Sequence, residues 1–127
     1  MYKLFLIGLG GFAGALLRYG TSELIQTWSK SISFPFGTLA TNVLGCFLIG
    51  ALSQLVESYG VFSPETRAFI FIGLLGAFTT FSTFGNETFN LFREGETHLF
   101  FANIGLQLIL GLGAVWLGRI IVVSLWR

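Results

Sequence analysis

The stretch Gly73-Leu74-Leu75-Gly76-Ala77-Phe78-Thr79-Thr80-Phe81-Ser82-Thr83-Phe84 decides how this chain folds. It sits in an apolar run from about Ala68 to Phe92, interrupted only by Glu87, and a helix needs about 20 such residues to cross the hydrocarbon of a bilayer. Near the middle of that run lie two glycines and four hydroxyl residues, Thr79, Thr80, Ser82 and Thr83. Glycine loosens a helix, and Ser and Thr side chains compete for its backbone hydrogen bonds. The segment therefore reads as a membrane-spanning helix broken near the midplane. Broken backbone at that depth survives only when buried in protein or lining a cavity, where its freed carbonyls can coordinate a cation.

Composition outside this stretch points the same way. Of 127 residues 54% are hydrophobic and 10% charged, against about 25% charged in soluble domains. Fifteen Phe and 17 Gly combine bulky rings with the smallest residue, a mixture suited to helices that approach closely in lipid. A net charge of +1 offers no basic field for nucleic acid. The lone Cys46 forms neither an intrachain disulfide nor a metal cluster and reads as a small packing residue. Gaps between charges divide the chain into four spans, residues 4–25, 32–56, 68–92 and 97–118, the last extending past Arg119 toward Trp126, joined by short loops within a single domain. The expected class is all-α membrane protein; strands are disfavoured because no segment alternates apolar and polar residues over the length of a barrel strand. Met1-Tyr2-Lys3 and the apolar run to Ala13-Gly14-Ala15 imitate a secretory signal only faintly, so the first span is expected to be retained. Tyr19, Trp28, Tyr59 and Trp126 lie near span ends, where amphipathic rings prefer the headgroup region.

Four spans put both termini on one side. That side, with the second loop, carries Lys3, Arg67, Arg119 and Arg127; the other carries Arg18, Lys30 and Arg93. Four cations against three is a weak bias under the positive-inside rule. It admits either one orientation or insertion both ways, with oppositely oriented copies pairing about a two-fold axis in the membrane plane.

Polar residues at membrane depth are costly and mark candidate sites. Gly10 and Gly14 permit close helix approach and read as packing. Arg18 either snorkels to the interface or attracts anions from a wet vestibule. Asn42, near the middle of the second span, either cross-links helices or presents its N–H groups to an anion. Phe81 and Phe84 share a helix face, and Glu87 is the one carboxylate well inside a span. Asn103 and Gln107, at i and i+4, form a polar stripe that should point inward, whereas His98 reads as interfacial. There is no metal-ligand cluster, no nucleophile paired with a base and no phosphate loop; with one His and no Asp, an enzyme is not expected.

Over its whole length the chain resembles the Fluc/CrcB family of fluoride channels. The similarity runs through Gly10-Gly11 to Arg18-Tyr19, Gly37-Thr38 to Asn42 and Gly45, and most specifically Thr79-Thr80-Phe81-Ser82-Thr83-Phe84 after Gly76. The resemblance implies a dual-topology antiparallel homodimer in a bacterial plasma membrane, with two pathways for passive export of cytoplasmic fluoride and hence fluoride resistance. It further implies that Phe81 and Phe84 line each pathway, that Asn42 donates to fluoride and that Arg18 sits near the entrance. Thr80, Ser82, Thr83 and Glu87 would contribute polar groups, and a structural sodium ion would be held by backbone oxygens of Gly76 and Thr79 from both subunits. One departure is that Asn103 and Gln107 stand where members commonly carry hydroxyl side chains; another is Ala77 at a place where others have Gly.

Two rival readings share the four spans. A small multidrug-resistance-type exporter needs a carboxylate embedded in its first span, and none lies between Leu4 and Leu17. A non-transporting assembly subunit would use its polar residues for packing alone.

Overall fold

In the computed structural model, which describes residues 1–126, the expected four spans are present as helices. Arg127, counted above among the cations, lies outside the described residues. Helix α1 covers Tyr2–Ser29 and α2 Phe36–Tyr59. The third span is divided into α3, residues 64–78, and α4, Phe81–Arg93; α5 covers Thr97–Leu125. All described regular structure is helical.

The helices overrun the expected bounds because charge gaps mark the edge of the hydrocarbon, whereas a helix continues into the headgroup layer until something stops it. Helix α1 runs past Arg18 and Glu23 to Lys30, which closes it in the left-handed region at φ 52°. Helix α2 starts at Phe36, later than expected, because Pro35 precedes it and the loop is tied down by Gln26. The Gln26 Nε2 donates to the carbonyls of Ser31 (2.8 Å) and Phe34 (3.1 Å), and its Oε1 accepts from Gly37 N–H (3.0 Å). Helix α5 continues seven residues beyond 118, and Arg119 forms a two-pronged ion pair with Glu57 of α2 at 2.8 and 3.0 Å. At the same end the Tyr59 hydroxyl donates to the Trp126 carbonyl (3.1 Å), with the rings 5.8 Å apart.

Lipid supplies no hydrophobic drive between helices, so van der Waals contact between close backbones carries the association. Glycines make that approach possible. A Cβ added at Gly10 would lie 2.9 Å from the Leu74 nitrogen and 3.1 Å from the Gly73 Cα, and one at Gly14 would collide with the Leu74 carbonyl. Helices α2 and α5 meet the same way, with Gly50 against the Val115 backbone and Gly118 against the Phe47 backbone. The segment of α3 that receives α1 is not α-helical: Ala68–Leu75 is a π-helix, a wider coil that is uncommon and frequently found at functional sites.

The break falls at Thr79 and Thr80, inside the stretch that predicted it. Both residues are extended, at φ −88°, ψ 160° and φ −153°, ψ 114°. Thr80 starts α4 as its N-cap, its hydroxyl accepting from Thr83 N–H (3.2 Å) and donating to the Thr83 hydroxyl (2.9 Å). Gly45 of α2 lets the break dock, because a Cβ there would strike the Thr79 methyl.

Candidate functional site: a polar line beside the broken helix

In an unbroken helix the Thr80 and Thr83 N–H groups would bond to the carbonyls of Gly76 and Thr79. Here Thr80 N–H goes to the Asn42 Oδ1 at 2.8 Å and Thr83 N–H to the Thr80 hydroxyl. The break thereby withdraws the helical donors of the Gly76 and Thr79 carbonyls. Carbonyl oxygens are hard ligands for a small cation, so these two suit a sodium ion in donor type.

Asn42 holds both sides of the Thr80 peptide geometry. Besides accepting from Thr80 N–H, it donates from Nδ2 to the Thr80 carbonyl (3.0 Å) and to Gln107 Oε1 (3.1 Å). A cavity of about 330 Å³ opens beside this group, lined by Asn42, Gln107, Thr79, Thr80 and the rings of Phe81 and Phe84 among others. The two rings are 5.5 Å apart and tilted by 58°. Phe81 is 82% exposed on the single chain. Gln107 Nε2 is buried there without a partner among the described residues. A buried unsatisfied donor costs about 1–3 kcal/mol and calls for a ligand or water.

One helical turn toward the Lys30 side, Thr38 donates to Glu87 Oε1 at 2.8 Å, leaving Oε2 buried without a partner. These two residues sit at the floor of a second cavity of about 320 Å³, whose walls include Ser22, Glu23, Gln26, Asn90 and Glu94. Thr38 and Asn42 are i and i+4 on α2, and Phe84 and Glu87 are i and i+3 on α4, so each helix presents one resident of both cavities on one face. The two cavities therefore lie about one helical turn apart along α2 and α4, a vestibule and an inner aromatic chamber. Arg18 lies half-buried on α1, one turn before Ser22 of the vestibule, and no ion pair or hydrogen bond engages it among the described residues. Both expected alternatives for it remain compatible with that position.

Among the expected site residues, the structure brings Asn42, Thr80, Phe81, Phe84 and Gln107 together, with Glu87 a turn away. It separates Asn103 from Gln107. Asn103 is fully buried between α5 and α4, donating to the Thr88 hydroxyl (2.8 Å), which in turn donates to the Phe84 carbonyl (2.6 Å); its Oδ1 has no partner among the described residues. Ser82 and Thr83 are exposed on α4 and line neither cavity. His98 is exposed near Glu96, as an interfacial residue would be. Thr38 and Thr88 were not singled out from sequence as site residues. Thr38 carried a signal in its four-residue spacing from Asn42, while Thr88 looked like any other hydroxyl beside a carboxylate.

Fold and site together define a multi-pass membrane protein whose polar groups lie along two of its helices, α2 and α4. The pattern that defines the CrcB-like protein, Camphor Resistance (CrcB) family matches residues 5–119, and the chain belongs to that family. It is 49% identical to the fluoride-specific ion channel FluC of Parabacteroides distasonis, over 95% of this chain and 93% of that one. It is 48% identical to the FluC of Shewanella loihica, over 98% of both chains. With fluoride-specific ion channel FluC 1 of Methanosarcina acetivorans it shares 44% identity, over 98% of this chain and 94% of the relative. Four apolar spans and these relatives make it a plasma-membrane protein.

Proposed function

We propose that this protein is a fluoride channel that exports cytoplasmic fluoride passively and so confers fluoride resistance. The observation that carries the reading is the inner chamber: a cavity at the broken helix where aromatic rings stand beside a buried, unpartnered N–H donor, in a chain 42–49% identical to proteins named for fluoride conduction. Fluoride is small and strongly hydrated, so a pathway must replace its water with close donors. Phenyl rings carry a positive edge, which lets Phe81 and Phe84 face an anion while closing the route to bulk water. Arg18, a turn from the vestibule, adds a positive field at the entrance.

The working unit is an antiparallel homodimer with two pathways. Support comes from the surface the single chain leaves open: α4 exposes Ser82, Thr83 and Asn86 beside Phe81 at a depth where polar groups and broken backbone do not face lipid. A second, inverted copy would cover them and close each chamber. The Gly76 and Thr79 carbonyls of the two copies would hold a structural sodium ion, which would neutralise their partial charges at the centre of the dimer.

Fluoride efflux from liposomes containing the purified protein, followed with a fluoride electrode in sodium-replete buffer, tests the reading. Rapid efflux of fluoride without chloride is expected. No fluoride flux under those conditions sinks the channel and leaves a membrane assembly subunit.

A further inference from the structure

The floor of the vestibule is held by a helix cap that comes from another helix. Helix α2 begins after Pro35, whose side chain accepts no hydrogen bond, so the N–H groups of its first turn need partners from elsewhere. The N–H of Phe36 goes to the Phe34 carbonyl at 3.0 Å. That of Gly37 goes to Gln26 Oε1 on α1 at 3.0 Å, while Gln26 Nε2 spends both of its N–H groups on the carbonyls of Ser31 and Phe34. Ser22, one turn earlier on the same face of α1, meets the same residue: a Cβ at Gly37 would strike the Ser22 carbonyl and lie 2.6 Å from its hydroxyl oxygen. Gly37 is thus gripped by two residues of α1. The residue after it is Thr38, whose buried hydroxyl donates to Glu87 Oε1 at 2.8 Å. Ser22, Gln26, Thr38 and Glu87 all line the vestibule, and loop residues 32–35 form a wall of it.

We infer that Gln26 is a positioning residue for anion entry: it caps α2 in place of Pro35 and thereby aims the Thr38 hydroxyl at Glu87. This rests on the channel reading above. The vestibule is lined by three carboxylates, those of Glu23, Glu87 and Glu94, and a negative floor opposes an entering anion. The Thr38 O–H offsets part of the charge on Glu87 through a charge-assisted hydrogen bond. Without the cap the first turn of α2 frays, Thr38 leaves Glu87, and both carboxylate oxygens are left uncompensated at the floor. Gln26 itself has no N–H to offer an anion, because main-chain carbonyls take both, so its effect is exerted through Thr38. The inner chamber lies a turn away with its own contacts, and the defect therefore belongs to entry and not to the passage beyond.

The test is fluoride efflux by the full-length protein in liposomes over a series of internal fluoride concentrations, with amide hydrogen exchange measured in detergent. Gln26→Met keeps the side-chain length and removes the bonds to Ser31, Phe34 and Gly37. It should speed exchange at Gly37 and raise the half-saturating fluoride concentration at least about fivefold, with maximal flux within about twofold of the unmodified protein. Thr38→Val should give the same flux signature. The double variant should exceed the larger single effect by less than about twofold, because residues acting as one unit are not additive. Gln26→Asn, too short to reach all three partners, replaces Gln26→Met if that variant does not fold, and its shift should have the same sign. An unchanged half-saturating concentration in a folded Gln26 variant, whether or not maximal flux falls, marks a residue that only holds the loop and overturns the inference while leaving the channel intact. Full additivity of the Gln26 and Thr38 substitutions overturns it as well. An unmodified protein without fluoride flux removes the channel reading and this inference together.

Discussion

The side chains of the polar line divide into those that hold the fold and those with unused valence. Thr88 belongs to the first group: among the described residues it is the one side-chain partner of the fully buried Asn103, and it ties that amide to the Phe84 carbonyl. Thr88→Val should destabilise the protein by about 1–3 kcal/mol, the cost of leaving a buried amide unsatisfied, read as a lower thermal midpoint in detergent. Phe81 and Phe84 belong to neither group, being apolar rings that line the chamber beside the polar side chains. Phe81→Ile and Phe84→Ile keep apolar volume but remove the ring edge, and each should suppress fluoride flux without changing dimer elution; unchanged flux in both would return the rings to packing. At this scale the sequence was informative about residue type and poor about partners. Asn42, Glu87 and Gln107 stood out because polarity at that depth is costly. That Asn42 would brace Thr80, or that Asn103 and Gln107 would part company despite sharing a helix face, depended on what α2 and α4 place opposite them.

Elements are fixed here by backbone contact more than by apolar periodicity. Gly14→Ala drives a Cβ into the Leu74 carbonyl, so α1 and the π-helical segment must separate, whereas Gly11→Ala and Gly8→Ala meet nothing within 4 Å. The first variant should lose most of its monodisperse material on size exclusion, and the other two should behave as unmodified; equal behaviour of all three would show that the α1 contact does not hold the fold. The helix break was legible because Gly76 and the hydroxyls of Thr79, Thr80, Ser82 and Thr83 carry local chemistry that opposes a helix. The π-helix was not. Ala68-Phe69-Ile70-Phe71-Ile72-Gly73-Leu74-Leu75 is as apolar as any ordinary span, and the packing of α1 against Gly73 within it is a long-range contact that no local pattern announces. The last helix does continue past Arg119 toward Trp126, as its sequence suggests, but the partner that Arg119 finds there, Glu57 of α2, is again a long-range contact.

For the whole molecule, the near balance of cations and the open polar face of α4 both bear on how copies associate. Reporter fusions to the N-terminus that are active only in the cytoplasm and only outside it should both give signal if the chain inserts in two orientations. Signal from a single side would require a partner other than an inverted identical copy. If the proposed dimer holds sodium between its Gly76 and Thr79 carbonyls, removing sodium from the detergent buffer should lower the thermal midpoint, because those carbonyls would be left facing one another uncompensated; an unchanged midpoint would argue against the ion. The brace at Thr80 also has a temporal side. A ribosome delivers α2 before α3 and α4, so Asn42 is already in the bilayer when the interrupted span arrives with a peptide group that lipid cannot satisfy. Gln107 comes last and takes up the N–H that Asn42 still holds out. Chain order thus matches the order in which the polar groups beside the break need partners.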